Sequence, residues 1–183
     1  MARYRRRYTR TIVRAPRKKW GSNFKDINLT IQNTTAQTQN GYNYATIAEN
    51  SAETGAPTPV VVKTGNFRVQ GDMFATSTPG GTVNRVSVTL YIIFVPQGFD
   101  PATYEAAIAI INNHPEWILS WRVLESGFST TGIMDSNRFT MTSRLKRNLN
   151  SGDKICAIFV AKDIISGQRV DLVSKVQYWT CAN

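Results

Sequence analysis

From residue 21 onward, apolar and polar residues alternate along most of the chain, a pattern typical of half-buried β-strands. The first alternating segment carries Ile27, Leu29 and Ile31 between polar neighbours. The clearest one is Val83 to Pro96, in which every second residue from Val86 to Phe94 is apolar. The intervening positions near its end are apolar as well. We therefore expect both faces of this strand to be buried there.

Further segments share this pattern and predict more strands. Val60 to Phe74 is one interrupted strand or two short ones, and Trp117 to Glu125 is a strand whose start could instead be a helical turn. Arg138 to Lys146 and Lys154 to Lys162 have the pattern of a hairpin joined by residues 148–153, and Val170 to Thr180 follows a turn within Ile165 to Arg169.

One segment has the features of a helix, from Pro101 to about Asn113. Asp100 can cap its start, Pro101 suits the first helical position, and His114-Pro115 ends it.

Two polar stretches separate the strands. Asn33 to Pro59 predicts a long loop, and Ser77 to Gly81, which contains Pro79-Gly80, predicts a turn. Seven or eight strands with one inserted helix and long polar loops indicate an all-β sandwich or barrel. At 183 residues the chain suits one such domain rather than two.

The charge distribution divides the chain into two parts. The net charge is +10, from 22 basic and 12 acidic residues, yet nine of the basic residues and none of the acidic ones lie in the first twenty positions. The rest of the chain is nearly neutral. We therefore predict an arm, residues 1–20, and a folded domain, residues 21–183. The basic residues of the arm are Arg3, Arg5, Arg6, Arg7, Arg10, Arg14, Arg17, Lys18 and Lys19.

The composition of the arm predicts binding to nucleic acid. Its cations repel one another and it has little apolar surface to bury, so it should stay disordered until a polyanion neutralises it. Tyr4, Tyr8 and Trp20 lie among the cations, and aromatic rings stack on unpaired bases, which favours a single-stranded partner. A solubilising tail and a membrane-binding arm are the alternatives, although the arm has no apolar face. Pro16 to Lys19 could also act as a nuclear-import signal.

A second basic cluster consists of Arg144, Lys146 and Arg147. In an alternating strand Arg144 and Lys146 share a face, and Arg147 is expected to begin the turn. The cluster either adds to the nucleic-acid contact or is a solvated strand end.

Enzymatic, metal and cofactor sites have little support. The single histidine, His114, is not accompanied by a nucleophile motif. Ligand spacing for a metal and the glycine-rich fingerprints of nucleotide cofactors are absent. Cys156 is expected in the core and Asp153 in a turn. Two cysteines are too few for a disulfide scaffold, and the longest apolar run, Leu90 to Val95, is too short for a membrane span.

The ordered layout of the chain resembles the capsid proteins of circoviruses and related viruses with circular, Rep-encoding single-stranded DNA genomes. Three segments carry the resemblance: Met1 to Arg10, the strand Val86 to Phe94 ending in Pro96, and Arg144 to Ile155, a basic strand followed by a glycine-aspartate turn and an apolar strand.

The resemblance implies a single eight-stranded viral jelly roll, sixty copies of which close an icosahedral shell around the genome. It also implies packaging of single-stranded DNA by the basic positions from Arg3 to Lys19, assembly in the host nucleus, and an attachment factor on the host, for which loops such as Asn33 to Pro59 are candidates. The alternative is a cellular nucleic-acid-binding module, a ribosomal or single-strand-binding protein with an OB-like barrel, whose basic residues usually spread over the folded domain.

Overall fold

The chain folds into two four-stranded antiparallel sheets that pack face to face. The computed structural model describes residues 19–51, 61–77, 85–126 and 135–182. Within these ranges there are eight strands, one α-helix and one 3₁₀ turn. In chain order the elements are β1 Gly21–Gln32, β2 Gln39–Glu49, β3 Val62–Ser77, β4 Ser87–Val95, α1 Tyr104–Asn113, the 3₁₀ turn Pro115–Trp117, β5 Ile118–Glu125, β6 Asp135–Leu149, β7 Lys154–Ile164 and β8 Gln168–Ala182.

The strand order identifies a jelly roll. One sheet, sheet A, has the order β1-β8-β3-β6, and the other, sheet B, has the order β2-β7-β4-β5. Among the described strands, β4 and β5 are the only consecutive ones that pair with each other. The chain therefore crosses repeatedly between the sheets, as in the two interlocked Greek keys of a jelly roll. The prediction of an all-β fold with eight strands and one short helix is confirmed.

Alternating side chains from both sheets form the core between them. Leu29 on β1, Val69 on β3 and Leu172 on β8 face Leu90 on β4 and Phe159 on β7, and all of them are buried. Period-two alternation therefore fixes which face of each strand turns inward, as the sequence pattern predicts.

Sheet B is apolar on its outer face as well. There Ile93 and Val95 of β4 and Ile158 of β7 pack under the helix residues Ala107 and Ile110, forming a second buried cluster. The prediction that the end of β4 is buried on both faces is confirmed, because the helix covers the face that does not point into the sandwich. No helix within the described ranges is long and apolar enough to cross a membrane.

Two predictions are wrong: the long loop at residues 33–59 and the hairpin formed by β6 and β7. Residues 33–59 are not a single loop, because β2 lies at Gln39–Glu49 and pairs with β7. The attachment role suggested for that loop loses its basis over these residues, and residues 52–60 lie outside the described part. β6 and β7 do not form a hairpin either: β6 pairs with β3 in sheet A, and β7 pairs with β2 and β4 in sheet B.

The start of the helix also differs from the prediction. The N-cap is Thr103, whose hydroxyl accepts a hydrogen bond from the Ala106 amide, and the helix begins at Tyr104. Asp100 and Pro101 belong to the preceding loop. The end at His114 is as predicted.

The segment predicted as one interrupted strand or two short ones, Val60 to Phe74, is a single strand over its described residues. It belongs to β3, whose pairing has a bulge at residue 66. The turn predicted at Ser77 to Gly81 lies largely outside the described residues.

The turn between β6 and β7 is organised by a buried carboxylate. Asp153 is 5% exposed, and its two oxygens accept hydrogen bonds from the backbone amides of Gln97, at 3.0 Å, and Asn150, at 2.8 Å. Gly152 has a φ of 81° in the same turn, a conformation that favours glycine. Asp153 is therefore a turn residue, as predicted, and it connects this turn to the end of β4.

Replacing Asp153 with alanine should destabilise the domain by roughly 2–4 kcal/mol, because two partly buried backbone amides lose a charged acceptor. The midpoint of urea unfolding, followed by circular dichroism, measures the loss. Asp26→Ala is the matched control, since Asp26 makes only an exposed ion pair with Lys175 and should cost less than about 1 kcal/mol. Equal destabilisation by the two variants would contradict the assigned role.

Candidate nucleic-acid interface

The structure describes four of the twelve predicted nucleic-acid-binding residues. Lys19 is exposed just before β1, and Arg144 and Lys146 are exposed on β6. Arg147 is half-buried on the same strand. The other eight, from Arg3 to Lys18, lie outside the described residues, and the division into an arm at 1–20 and a domain at 21–183 stays a prediction.

Arg147 does not begin the turn, because β6 continues to Leu149. Adjacent residues of a strand point to opposite faces, so Arg147 points away from Lys146. Its guanidinium donates a hydrogen bond to the Glu116 carbonyl oxygen at 2.6 Å, in the 3₁₀ turn. Arg147 therefore attaches β6 to the segment before β5, and the predicted cluster of three cations is divided between two sides of the strand.

The basic strand and the root of the arm meet in space. The Lys146 ammonium nitrogen lies 5.2 Å from the centre of the Trp20 ring, a cation–π contact between residues 126 positions apart in the sequence. The two are on opposite edges of sheet A, since Trp20 directly precedes β1 and Lys146 belongs to β6. Trp20, the last residue of the predicted arm, thus lies beside Lys146 of the second basic cluster.

A glycine makes room for the Lys146 side chain across the sheet. The register aligns Lys146 on β6 with Gly65 on β3, and Gly65 with Trp179 on β8. A Cβ atom at Gly65 would lie 2.6 Å from the Lys146 Cγ and 2.9 Å from the Leu145 carbonyl oxygen. Only glycine leaves space for the Lys146 stem to lie over β3 toward β8 and β1. The bulge that adds one residue to β6 opposite Asn66 lies at the same place.

The structure adds residues to this surface that sequence reasoning did not single out. The next outward-facing row, beside the row of Lys146, Gly65 and Trp179, crosses all four strands. It consists of Phe24, Gln177, Arg68 and Thr142. Phe24 is 62% exposed, and Arg68 is exposed as well. The alternation along β3 could have identified Arg68 from the sequence. Its neighbours Phe67 and Val69 are apolar and buried, so Arg68 between them must point to the outer face.

The outer face of sheet A has ion-paired basic residues in one half and unpaired basic residues in the other. In the half away from Trp20, basic residues are ion-paired: Lys175 with Asp26 at 3.5 Å, Arg138 with Asp72 at 3.7 Å, and Arg169 with Asp171 at 2.7 Å. In the half near Trp20, Arg68, Arg144 and Lys146 take part in none of the ion pairs formed by the described residues.

We call this second half, defined by Trp20, Phe24, Arg68, Arg144, Lys146 and Trp179, the basic–aromatic surface. It joins unpaired cations, which attract phosphate, to three aromatic rings on one side of the domain.

His114 and Cys156, the residues considered for catalysis, are both held in contacts with neighbouring side chains. The His114 ring stacks on Trp117, with centroids 3.7 Å apart, and its Nδ1 lies 3.2 Å from a Glu116 carboxylate oxygen. Cys156 is fully buried under the helix, and burial raises the pKa of its thiol to about 11, so the thiolate is scarce at neutral pH. Across the described ranges, no group of three or more histidine, cysteine or acidic side chains is placed to hold a metal ion.

Comparison with known proteins gives little information on relatives. No protein-family model matches the chain, and the search of curated proteins finds no similar sequence. Among solved structures, the chain is similar to the structure of infectious bursal disease virus, Gt strain, with 12% sequence identity and a TM-score of 0.28 over 92% of this chain. It is also similar to the Gx strain structure, with 10% identity and a TM-score of 0.21 over 91% of this chain.

The chain spans less than half the length of the viral chains it matches, 43% and 42% respectively. At these scores the likeness carries no argument about function.

Proposed function

We propose that this protein is a viral coat protein that assembles into a small icosahedral shell and packages single-stranded DNA through its basic N-terminal arm. Jelly rolls occur in viral capsids, lectins and cupins, so the fold alone leaves several functions open. The proposal depends on how charge is distributed over that fold.

One observation carries the proposal: Trp20, the last residue of the predicted cationic arm, lies next to unpaired cations on a jelly roll that is otherwise nearly neutral. The contact between Trp20 and Lys146 supports an arm that begins beside these cations. A coat protein needs this arrangement, because its domain must contact other copies while its arm contacts the phosphates of the genome. Arginine supports the second task, since guanidinium stays charged and pairs bidentately with phosphate.

The resemblance to circovirus coats supports the finer parts of the proposal. These are sixty copies per shell, a circular single-stranded DNA genome as the partner, and assembly in the host nucleus, for which Pro16 to Lys19 could serve as the import signal. The role is structural and involves no catalytic residue, cofactor or membrane insertion; the shell would meet a host attachment factor on its outer surface.

The OB-like alternative predicts different behaviour. A cellular single-strand binder would stay a monomer or small oligomer, and it would use a partly open five-stranded barrel rather than two four-stranded sheets. An enzyme acting on nucleic acid would instead convert added DNA into cleaved or joined products.

Size measurement of the purified full-length chain tests the proposal. We expect a megadalton particle by size-exclusion chromatography, present at once or formed when single-stranded DNA is added, and round shells by negative-stain microscopy. A chain that stays monomeric across salt concentrations from 50 mM to 1 M, with and without single-stranded DNA, would overturn the proposal.

A further inference from the structure

We propose that the folded domain has its own binding site for single-stranded nucleic acid, the basic–aromatic surface on the outer face of sheet A, which acts independently of the arm's positive charge. The inference deepens the proposed function, on which it rests for the identity of the partner. It assigns a site to the domain in addition to the arm.

The cations of this surface are available for phosphate. Arg68 and Arg144 are exposed, and neither has a carboxylate partner among the described residues. The nearest acidic residue along the register is Asp26, one row further, where Lys175 binds it at 3.5 Å. The surface therefore has an excess of positive charge next to a face whose other charges are paired. A merely solvated sheet face would not divide in this way.

The aromatic rings of this surface favour unpaired bases. Phe24 is 62% exposed on the outer face of β1, with nothing apolar opposite it in its row except the stems of Gln177 and Arg68. Trp179 lies in the next row, opposite Ser22 and Gly65. Exposed rings beside cations are the combination that single-strand binders use, because bases stack on the rings while phosphates meet the cations.

The dimensions suit a short piece of single strand. Neighbouring strands lie roughly 4.8 Å apart, so the row from Phe24 to Thr142 spans about 14 Å across the sheet. Arg68 lies in the interior of this row, with Phe24 toward the β1 edge. A flat sheet face of this width can hold a few splayed nucleotides, whereas a duplex keeps its bases stacked inside and cannot reach the rings.

The test uses the full-length chain with the nine basic residues of the arm changed to glutamine. We expect this arm-neutral chain to bind a twenty-nucleotide oligothymidylate measurably, and at least tenfold more tightly than a twenty-base-pair duplex. Adding R68Q, R144Q and K146Q should reduce the salt dependence, the slope of log affinity against log salt, by about 2, since each phosphate contact on a single strand contributes about 0.7. Adding F24S alone should weaken binding about tenfold.

Two substitutions serve as matched controls in the same arm-neutral chain. R138Q removes a cation from the same sheet face, but one paired with Asp72, and F99S removes an exposed ring outside sheet A. Both should leave oligothymidylate affinity within twofold. The inference fails if R138Q weakens binding as much as R68Q, if the duplex binds equally well, or if the arm-neutral chain does not bind at all.

Ultraviolet cross-linking of the unaltered chain to a bromodeoxyuridine oligonucleotide gives a second test that depends on no variant. Cross-linked peptides should include Phe24 and Trp179 in addition to arm residues, and cross-links confined to the arm would overturn the inference. Particle formation is scored separately. Shells without cross-links on the domain would reject this site and keep the coat-protein proposal. Cross-links on the domain of a chain that never assembles would keep the site and reject the coat-protein proposal.

Discussion

Changing the nine basic residues of the arm to glutamine is expected to remove most of the nucleic acid from the assembled particle and to leave the domain folded. Sixty arms would supply on the order of 540 positive charges, against one negative charge per nucleotide. Nine phosphate contacts per arm on a single strand give a salt slope of about −6, so affinity should fall by 10³–10⁴ between 50 and 200 mM salt. Losing these contacts is therefore the largest effect that any variant of this chain should show.

The ratio of absorbance at 260 and 280 nm, measured on purified particles, reports the loss. The control is an arm in which every arginine is changed to lysine, which keeps the charge and should keep most of the cargo. Circular dichroism should be unchanged in both variants, because Lys19 is exposed and we expect the predicted arm to form no part of the folded domain. A glutamine arm that retains the native content of nucleic acid would show that packaging depends on other residues.

The strands themselves could be predicted from the sequence because burial follows a local alternation. β4 shows this best: its even positions face the sandwich, its odd positions from Tyr91 to Val95 pack under the helix, and both of these sets are apolar in the sequence. β8 behaves in the same way, with Val173 and Gln177 outside and Leu172 and Val176 inside. In both strands, the neighbouring residues in the sequence are enough to predict which face is buried.

β2 was missed for a local reason. It lies at the edge of sheet B, and most of its residues are only half-buried. Its first half, Gln39 to Tyr44, does not alternate between apolar and polar residues. Tyr42 and Tyr44 pack against the cluster under the helix, and the Asn43 side chain donates a hydrogen bond to the Thr30 carbonyl oxygen of β1. Only Ile47 of β2 is buried in the core, with Ala45 and Ala48 packed beside it. One large apolar residue on the inner face is too little to show a period of two.

The pairing of strands and the composition of the site depend on contacts between distant residues. β6 and β7 are consecutive and joined by a short turn, so a hairpin was the natural expectation, yet each finds its partners in a different sheet. For the same reason the sequence identified Lys146 but could not place it beside Trp20 or near Arg68. These neighbours are brought together by the register of β1, β8, β3 and β6.

Trp121→Ser is expected to abolish shell assembly while changing the free energy of unfolding by less than about 1 kcal/mol. Trp121 is 61% exposed and Val123 is 44% exposed, both on the edge strand β5. The register aligns Trp121 with Tyr91, so it lies on the same outer face of sheet B that the helix covers further in. A groove of about 620 Å³ opens on this face, lined by Tyr91, Tyr104 and Ile108 and by polar residues that include Arg85, Lys162 and Asp163.

The physical reason is that two large apolar side chains of β5, Trp121 and Val123, lie outside the helical cover on the outer face of sheet B. The helix shields the cluster around Ile158 but leaves the β5 edge in water, where a second copy of the chain can bury it. Tryptophan at the centre of an interface commonly contributes 2 kcal/mol or more. In a closed shell every subunit carries the same substitution, so the loss recurs at each equivalent contact. Sedimentation velocity should therefore show monomers or small oligomers in place of shells.

Val173→Ser separates this explanation from a general effect of removing exposed apolar surface. Val173 is 50% exposed, but it lies on the outer face of sheet A, in the row of Asn28, Asp72 and Arg138. If sheet A faces nucleic acid and the β5 edge faces a neighbouring subunit, V173S should assemble as the unaltered chain does. Shells formed normally by W121S, or lost equally in both variants, would mean that the β5 edge is not the contact between copies.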